Sequence, residues 1–196
     1  MDERITDHRE MTIDEFLAFT DTRPDDESWE LIEGEAILNA SPTSFHQIIA
    51  GNICGLLLNA RKAQMGVWQP LLGMSTRVPA SPRSLPQPDV MVMEPSVENL
   101  KVAENAIVLF EILSKSNRRT DQAWRKRVYA SIEKCQHYVV VDQNKPSLVR
   151  YDRASKWKAV AYRELNDALE LPALGKLALP LAEIYEGTSV VPGLKR

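Results

Sequence analysis

At 196 residues, 44% hydrophobic and 26% charged, the chain has the length and composition of one soluble globular domain with a sizeable core. Its net charge of -3 excludes an overall basic signal for nucleic acid, so any such signal has to be local. No apolar run approaches a membrane span, residues 1–10 lack an apolar signal core, and Cys54 and Cys135 read as two buried thiols rather than a disulfide or zinc site. The expectation is a cytoplasmic protein with no membrane partner.

Residues 1–11 are polar and read as a loose tail. Thr12-Ile13-Asp14-Glu15 has the form of a capping box, and with Phe16, Leu17 and Phe19 it predicts a short helix over 12–20. Residues 21–28 form a loop. Trp29-Glu30-Leu31-Ile32 and Glu35-Ala36-Ile37-Leu38 flank Glu33-Gly34, the pattern of a tight hairpin. Ser41-Pro42-Thr43-Ser44 opens a helix in which Phe45, Ile48, Ile49, Ile53, Leu56, Leu57 and Ala60 share a broad apolar face. It runs to about residue 65, and Gly66 ends it. Residues 67–72 and 74–78 are strand-like, and prolines at 79, 82, 86 and 88 mark a surface loop.

Two short apolar runs follow, at residues 87–93 and 106–114, separated by a loop over 95–105. Each reads as a buried strand and each carries one carboxylate, Asp89 in the first and Glu111 in the second. An acid on a core strand costs several kcal/mol unless it is paired, protonated or bound to a metal. A polar turn at 114–119 leads into a helix expected to run from Thr120 or Asp121 to about residue 134, with Ala123, Trp124, Val128 and Ile132 toward the core. Residues 137–142 form a strong strand, 147–152 pair back on it, and 156–164 add another. The tail suggests a final strand and a short helix over 180–185. The whole is mixed α/β with helices on a central sheet.

Asp89 and Glu111 on neighbouring strands suit one hard cation, Mg2+ or Mn2+, with the Ile112 carbonyl as a third ligand. Such a cation lowers the pKa of a bound water and neutralises phosphate charge, which is what phosphodiester hydrolysis requires. Directly after Glu111, residues 115–127 hold six bases (Lys115, Arg118, Arg119, Arg125, Lys126 and Arg127) and one acid, a local charge of +5 that suits a phosphate backbone. The plain alternatives are solvated or arginine-paired acids and a solvated helix face.

These residues carry a resemblance. Pro88-Asp89 followed by Glu111-Ile112-Leu113 resembles the PD-(D/E)XK nuclease superfamily, the fold of type II restriction endonucleases. The ordered set Trp29 to Glu35, Ser41-Pro42, His46, Pro88-Asp89-Val90, Glu111 to Ser114, Asp121, Tyr129 and His137 to Asp142 is similar to the Uma family of restriction endonucleases. The resemblance implies a restriction-endonuclease-like central mixed sheet flanked by helices, with an N-terminal helix and hairpin and a C-terminal β extension. It implies a tail over 1–11, one nuclease-like domain over 12–186 and a tail over 187–196. It implies metal-dependent DNA cleavage with Asp89 and Glu111 as ligands, Glu30 as an accessory acid and His46 facing the same cleft.

One departure stands out. The superfamily lysine two residues after the second acid is Leu113 here, and the Uma-like position on the following helix is Arg125, with Lys126 one place on. One helical step rotates a side chain by about 100°, so the two cannot point the same way. Arginine clamps phosphate but is a poor proton carrier. The leading expectation is therefore a DNA endonuclease, a homodimer matching a two-fold duplex, with Arg125 or Lys126 acting on water or phosphate. The alternative is a catalytically degenerate nuclease fold that binds nucleic acid or serves in assembly.

Overall fold

A computed structural model of the chain describes residues 6–7, 10–113 and 119–191. In chain order the elements are β1 (Thr6–Asp7), α1 (Ile13–Thr20), β2 (Trp29–Ile32), β3 (Glu35–Leu38), α2 (Ser44–Gln64), β4 (Gln69–Leu72), β5 (Ser75–Thr76), β6 (Val90–Met93), β7 (Val102–Ala103), β8 (Ala106–Leu113), α3 (Arg119–Ala130), β9 (His137–Asp142), β10 (Ser147–Asp152), β11 (Lys158–Tyr162), β12 (Ala168–Glu170), β13 (Ala178–Pro180) and α4 (Leu181–Ile184). Six strands make the central sheet in the order β11-β10-β9-β8-β6-β4. The β8–β9 pair is parallel and its neighbours are antiparallel, so the sheet is mixed. Helix α3 is the crossover that the parallel pair needs.

The two-residue period of β8 sorts its side chains between two cores. Val108, Phe110 and Ile112 pack with Ile49, Ile53 and Leu57 of α2 on one face. Leu109 packs with Val128 and Tyr129 of α3, and with Ile132 just after it, on the other. Glu111 shares the α3 face. A third core joins α1 to the β1-β3-β2 sheet through Phe16, Trp29, Leu31 and Ala36. The main-chain bond from Leu85 N–H to the Leu31 carbonyl, 2.8 Å, fastens this small sheet to the loop before β6.

Local sequence accounts for the element ends. Thr12 caps α1, accepting from the Glu15 amide while Glu15 reaches back to the Thr12 amide at 2.7 Å. Thr12→Ala removes half of this reciprocal pair and is expected to cost about 1 kcal/mol, read as a lower midpoint in urea; an unchanged midpoint would mean the cap contributes nothing. The β2–β3 turn needs positive φ twice, +52° at Glu33 and +95° at Gly34, as the primed hairpin turns do. A Cβ at Gly34 would also run into the Arg83 guanidinium.

Several expectations change. Part of the polar start is held in place: Thr6 and Asp7 pair with Ile37 and Ala36, and Met11 is buried. The strand expected over 74–78 shrinks to β5, which pairs in parallel with β7 from the loop expected over 95–105. Helix α3 stops at Ala130 rather than 134, because Arg153 donates to the carbonyls of Ala130 (2.9 Å) and Ile132 (2.6 Å). Those bonds satisfy acceptors that another helical turn would have used. Ala123, expected in the core, is exposed, and Cys54 is only half-buried. The tail holds two strands, β12 and β13, paired with each other. Among the described residues, no helix is long and apolar enough to cross a membrane.

Candidate active site

Strand β6 begins at Val90, opposite Phe110 of β8. One step further along that antiparallel register, Asp89 faces Glu111, and directly opposed residues share a sheet face. Asp89 lies just outside the strand, where it takes over a main-chain donor that β6 no longer reaches: Ile112 N–H donates to Asp89 Oδ2 at 2.6 Å. This is the contact the structure gives for Ile112, whereas its expected part was the carbonyl. On the other side, His46 Nε2 lies 3.2 Å from Asp89 Oδ1. Thr43 caps α2 and places His46 in the first turn.

Arg125 stands between two buried acids. Its Nη2 donates to Glu30 Oε1 and Oε2 at 2.9 and 2.7 Å, and its Nη1 to Glu111 Oε1 at 2.9 Å. Tyr129, one helical turn on, accepts from Arg125 Nη1 at 3.0 Å and donates to Glu111 Oε1 at 2.7 Å. Glu30 also accepts from the Gln87 amide at 2.6 Å, which ties β2 to the Asp89 segment. Glu30 and Glu111 are only 3% and 4% exposed, so these are desolvated charges rather than surface pairs.

The electrostatics follow from burial and charge count. Burial pushes Glu111 up to about 8; Arg125 opposes that, while Asp89 and Glu30 add to it. Burial also works against the Arg125 charge, but Glu111 and Glu30 outweigh it and hold the guanidinium protonated. Stability should follow. With its folded value raised above the ordinary 4.5, Glu111 contributes stability that is complete below about 4.5 and is lost as pH rises through about 8. In metal-free protein, Glu111→Gln should therefore gain on the wild type between pH 5.5 and 8.5, by up to about 1.4 kcal/mol per unit. Denaturation at several pH values checks this, and parallel curves for the two proteins would refute it.

Of the other expected site residues, Lys126 points elsewhere: its Nζ lies 4.8 Å from the Tyr151 ring centroid, about one helical step around from Arg125. Arg127 is exposed and lies 3.9 Å from Glu33. Lys115 and Arg118 fall outside the described residues, as does the Arg119 side chain. Three participants were not expected in these roles: Tyr129, Gln87 through its amide, and Trp124, whose Nε1 donates to Glu33 at 3.1 Å. Tyr129 could have been found, since it follows Arg125 by four residues and so shares its helix face.

Asp89, Glu111, Glu30, Arg125 and His46 all line one cleft of about 1530 Å³. Among the described residues, no three His, Cys, Asp or Glu side chains form a ready metal cage. The donor chemistry nevertheless fits a divalent cation. While Glu111 keeps its proton, Asp89 and Glu30 outweigh the Arg125 guanidinium by one negative charge; a bound cation would displace that proton and meet a second carboxylate, and magnesium is commonly held by one or two carboxylates, its waters and a substrate phosphate. Asp89 and Glu111 would be the pair to share it: they face each other across the β6–β8 register, and the bonds from Arg125 and Tyr129 to Glu111 both fall on Oε1.

This fold is that of a nuclease of the restriction-endonuclease-like type. A solved structure described as "a putative nuclease belonging to DUF820" from Anabaena variabilis superposes with a TM-score of 0.72 at 18% identity, covering 89% of this chain and 97% of that one. Residues 13–182 match the Uma2 family, described as "Putative restriction endonuclease", and the chain belongs to that family. No curated protein matches it in sequence.

Proposed function

We propose that this chain is a divalent-metal-dependent endonuclease that hydrolyses DNA phosphodiester bonds. The observation that carries the reading is the placement of Asp89 against Glu111 across the β6–β8 register, in a cleft where, among the described residues, acids outnumber guanidinium groups. A bound Mg2+ or Mn2+ would supply Lewis acidity toward the phosphate and make a water nucleophilic at neutral pH. Asp89 and Glu111 would hold that ion. Ile112 N–H and His46 fix the Asp89 carboxylate from two sides. Arg125 presents a fixed positive charge beside the reacting phosphate and leaves proton transfer to other groups, because its guanidinium stays protonated. Glu30 and Tyr129 hold the guanidinium in place. Supercoiled plasmid should be nicked with manganese and left intact with a chelator.

A second reading has one observation in its favour. Arg125 stands where the family pattern calls for lysine, and both of its terminal nitrogens are committed to acids. A site locked in this way suits a nuclease fold that binds nucleic acid without cutting it. Absence of nicking with every divalent metal tried, together with a retained gel shift, would decide for it.

A further inference from the structure

We propose that the first turn of α2, together with the side-chain amide of Gln143, binds a phosphate of the substrate strand other than the one that is cut. The inference rests on the nuclease reading above and adds a second phosphate position to it, apart from the acid pair. Helix α2 is 21 residues long, and its first turn lines the cleft. The first amides of a helix have no carbonyl behind them to bond. Here the His46 amide donates to Thr43 Oγ1 at 3.3 Å and the Gln47 amide to the Thr43 carbonyl at 3.1 Å. The amides of Ser44 and Phe45 make no hydrogen bond to another described residue. Aligned peptide dipoles add about half a positive charge at this end, and such an end suits an anion.

A helix start does not by itself define a ligand. The independent observation is Gln143, in the turn that follows β9. It is only 6% exposed, it lines the same cleft, and its Oε1 accepts from Thr43 Oγ1 at 2.9 Å. That bond fixes which way the amide faces. The Thr43 hydroxyl already accepts from the His46 amide and has one proton to give, so the amide oxygen stands opposite it. The NH2 group of Gln143 is left without a hydrogen-bond partner among the described residues, on a side chain more than nine-tenths buried. Its nitrogen is not sealed off from solvent, so a ligand in the cleft can reach it. Buried polar groups are almost always partnered. Two free N–H donors beside a helix start ask for an acceptor, and an anionic oxygen answers both.

The local charge agrees. Residues 39–48 contain no Asp or Glu. Asp142, next to Gln143, accepts from the Asn144 amide at 2.9 Å and lies 3.6 Å from Lys145 Nζ. Asp89 meets the imidazole of His46, the third residue of the helix, rather than the amides before it. An ion shared by Asp89 and Glu111 would take the reacting phosphate, and a further phosphate of the same strand needs a place that is not acidic. Ser44, Phe45 and Gln143 supply that place within one helical turn of His46. Main-chain and side-chain amide contacts of this kind fix the register of a strand and carry no sequence information.

The test is a titration of the full chain with inorganic phosphate in a chelator, followed by amide-resolved NMR, with chloride at equal ionic strength as the control. The Ser44 and Phe45 amides and the Gln143 side-chain amide should shift together and saturate, and chloride should leave them in place. Gln143→Met should weaken phosphate about tenfold, and Gln143→Glu, of the same shape but charged, should abolish saturable binding. An oligothymidylate should displace the phosphate, and the same strand with neutral methylphosphonate linkages should not. Absence of saturable shifts, unchanged affinity in both variants, or equal competition by the neutral strand would overturn the inference. Phosphate binding that no oligonucleotide displaces would also overturn it, since the site would then serve free phosphate only. Should either variant unfold, the wild-type titration and the competition still decide. If binding follows expectation but no divalent metal supports plasmid nicking, the phosphate site stands and the nuclease reading fails. Nicking without these shifts leaves the nuclease reading and removes the site.

Discussion

Asp89→Asn is expected to lower metal-dependent nicking about a thousandfold while leaving the protein folded. Removing one of two shared carboxylates forfeits several kcal/mol of charge stabilisation at the phosphate, and each 1.4 kcal/mol is a factor of ten. The substitution is nearly isosteric. Its amide oxygen can still accept from Ile112 N–H, the bond that closes the end of the β8 ladder. Asp89 is also partly open to solvent, its side chain 24% exposed, so removing its charge strands no buried partner. The thermal midpoint should therefore stay close to the wild type. Quantifying relaxed circles over time in manganese measures the effect. Nicking at the wild-type rate would remove Asp89 from the metal site, and unfolding of the variant would show the carboxylate to be structural.

Arg125→Met should act mainly on stability. Glu30 and Glu111 are both desolvated, and both lean on one guanidinium. Taking it away leaves two buried acids facing each other with only Tyr129 and the Gln87 amide as donors. Breaking a buried pair from one side costs about 3–5 kcal/mol, because the uncompensated charge stays behind. Glu111 can relieve part of this by keeping its proton, since burial already raises its value to about 8. Adding Glu30→Gln to Arg125→Met removes the stranded charge and should recover more than half of the loss. Equilibrium urea unfolding of the single and double variants measures this. A loss under 1 kcal/mol in the single variant would show that water reaches the cluster.

Much of the scaffold was legible because it is written in short-range patterns. The Thr-x-x-Glu box, the Glu33-Gly34 turn and the apolar stripe from Ile49 to Leu57 each carry their own local cause, and each appears where expected. The errors fall where distant segments decide. Thr6 and Asp7 become a strand only because the edge of β3 is there to pair with. Helix α3 ends four residues early only because Arg153, far along the chain, claims the carbonyls at its end. The β5–β7 pair joins two segments that each looked like part of something else.

The site divides in the same way. The sequence by itself determined that two acids sit in or next to apolar strands, that a basic helix follows the second, and that Leu113 stands two residues after the second acid while Arg125 and Lys126 follow on that helix. The tertiary structure alone decided which helical base reaches the acids, and it is Arg125, because α3 is rotated so that Lys126 lies over Tyr151. It also decided that Glu30, from a separate small sheet, closes the cluster, through the Leu31–Leu85 pairing and the Gln87 amide. The physical reason is range: periodicity and turn chemistry act over a few residues and can be read along the chain. The rotation of a helix about its axis, and the docking of one sheet on another, are set by contacts between distant parts of the chain, 57 positions apart for Glu30 and Gln87 and 95 for Glu30 and Arg125.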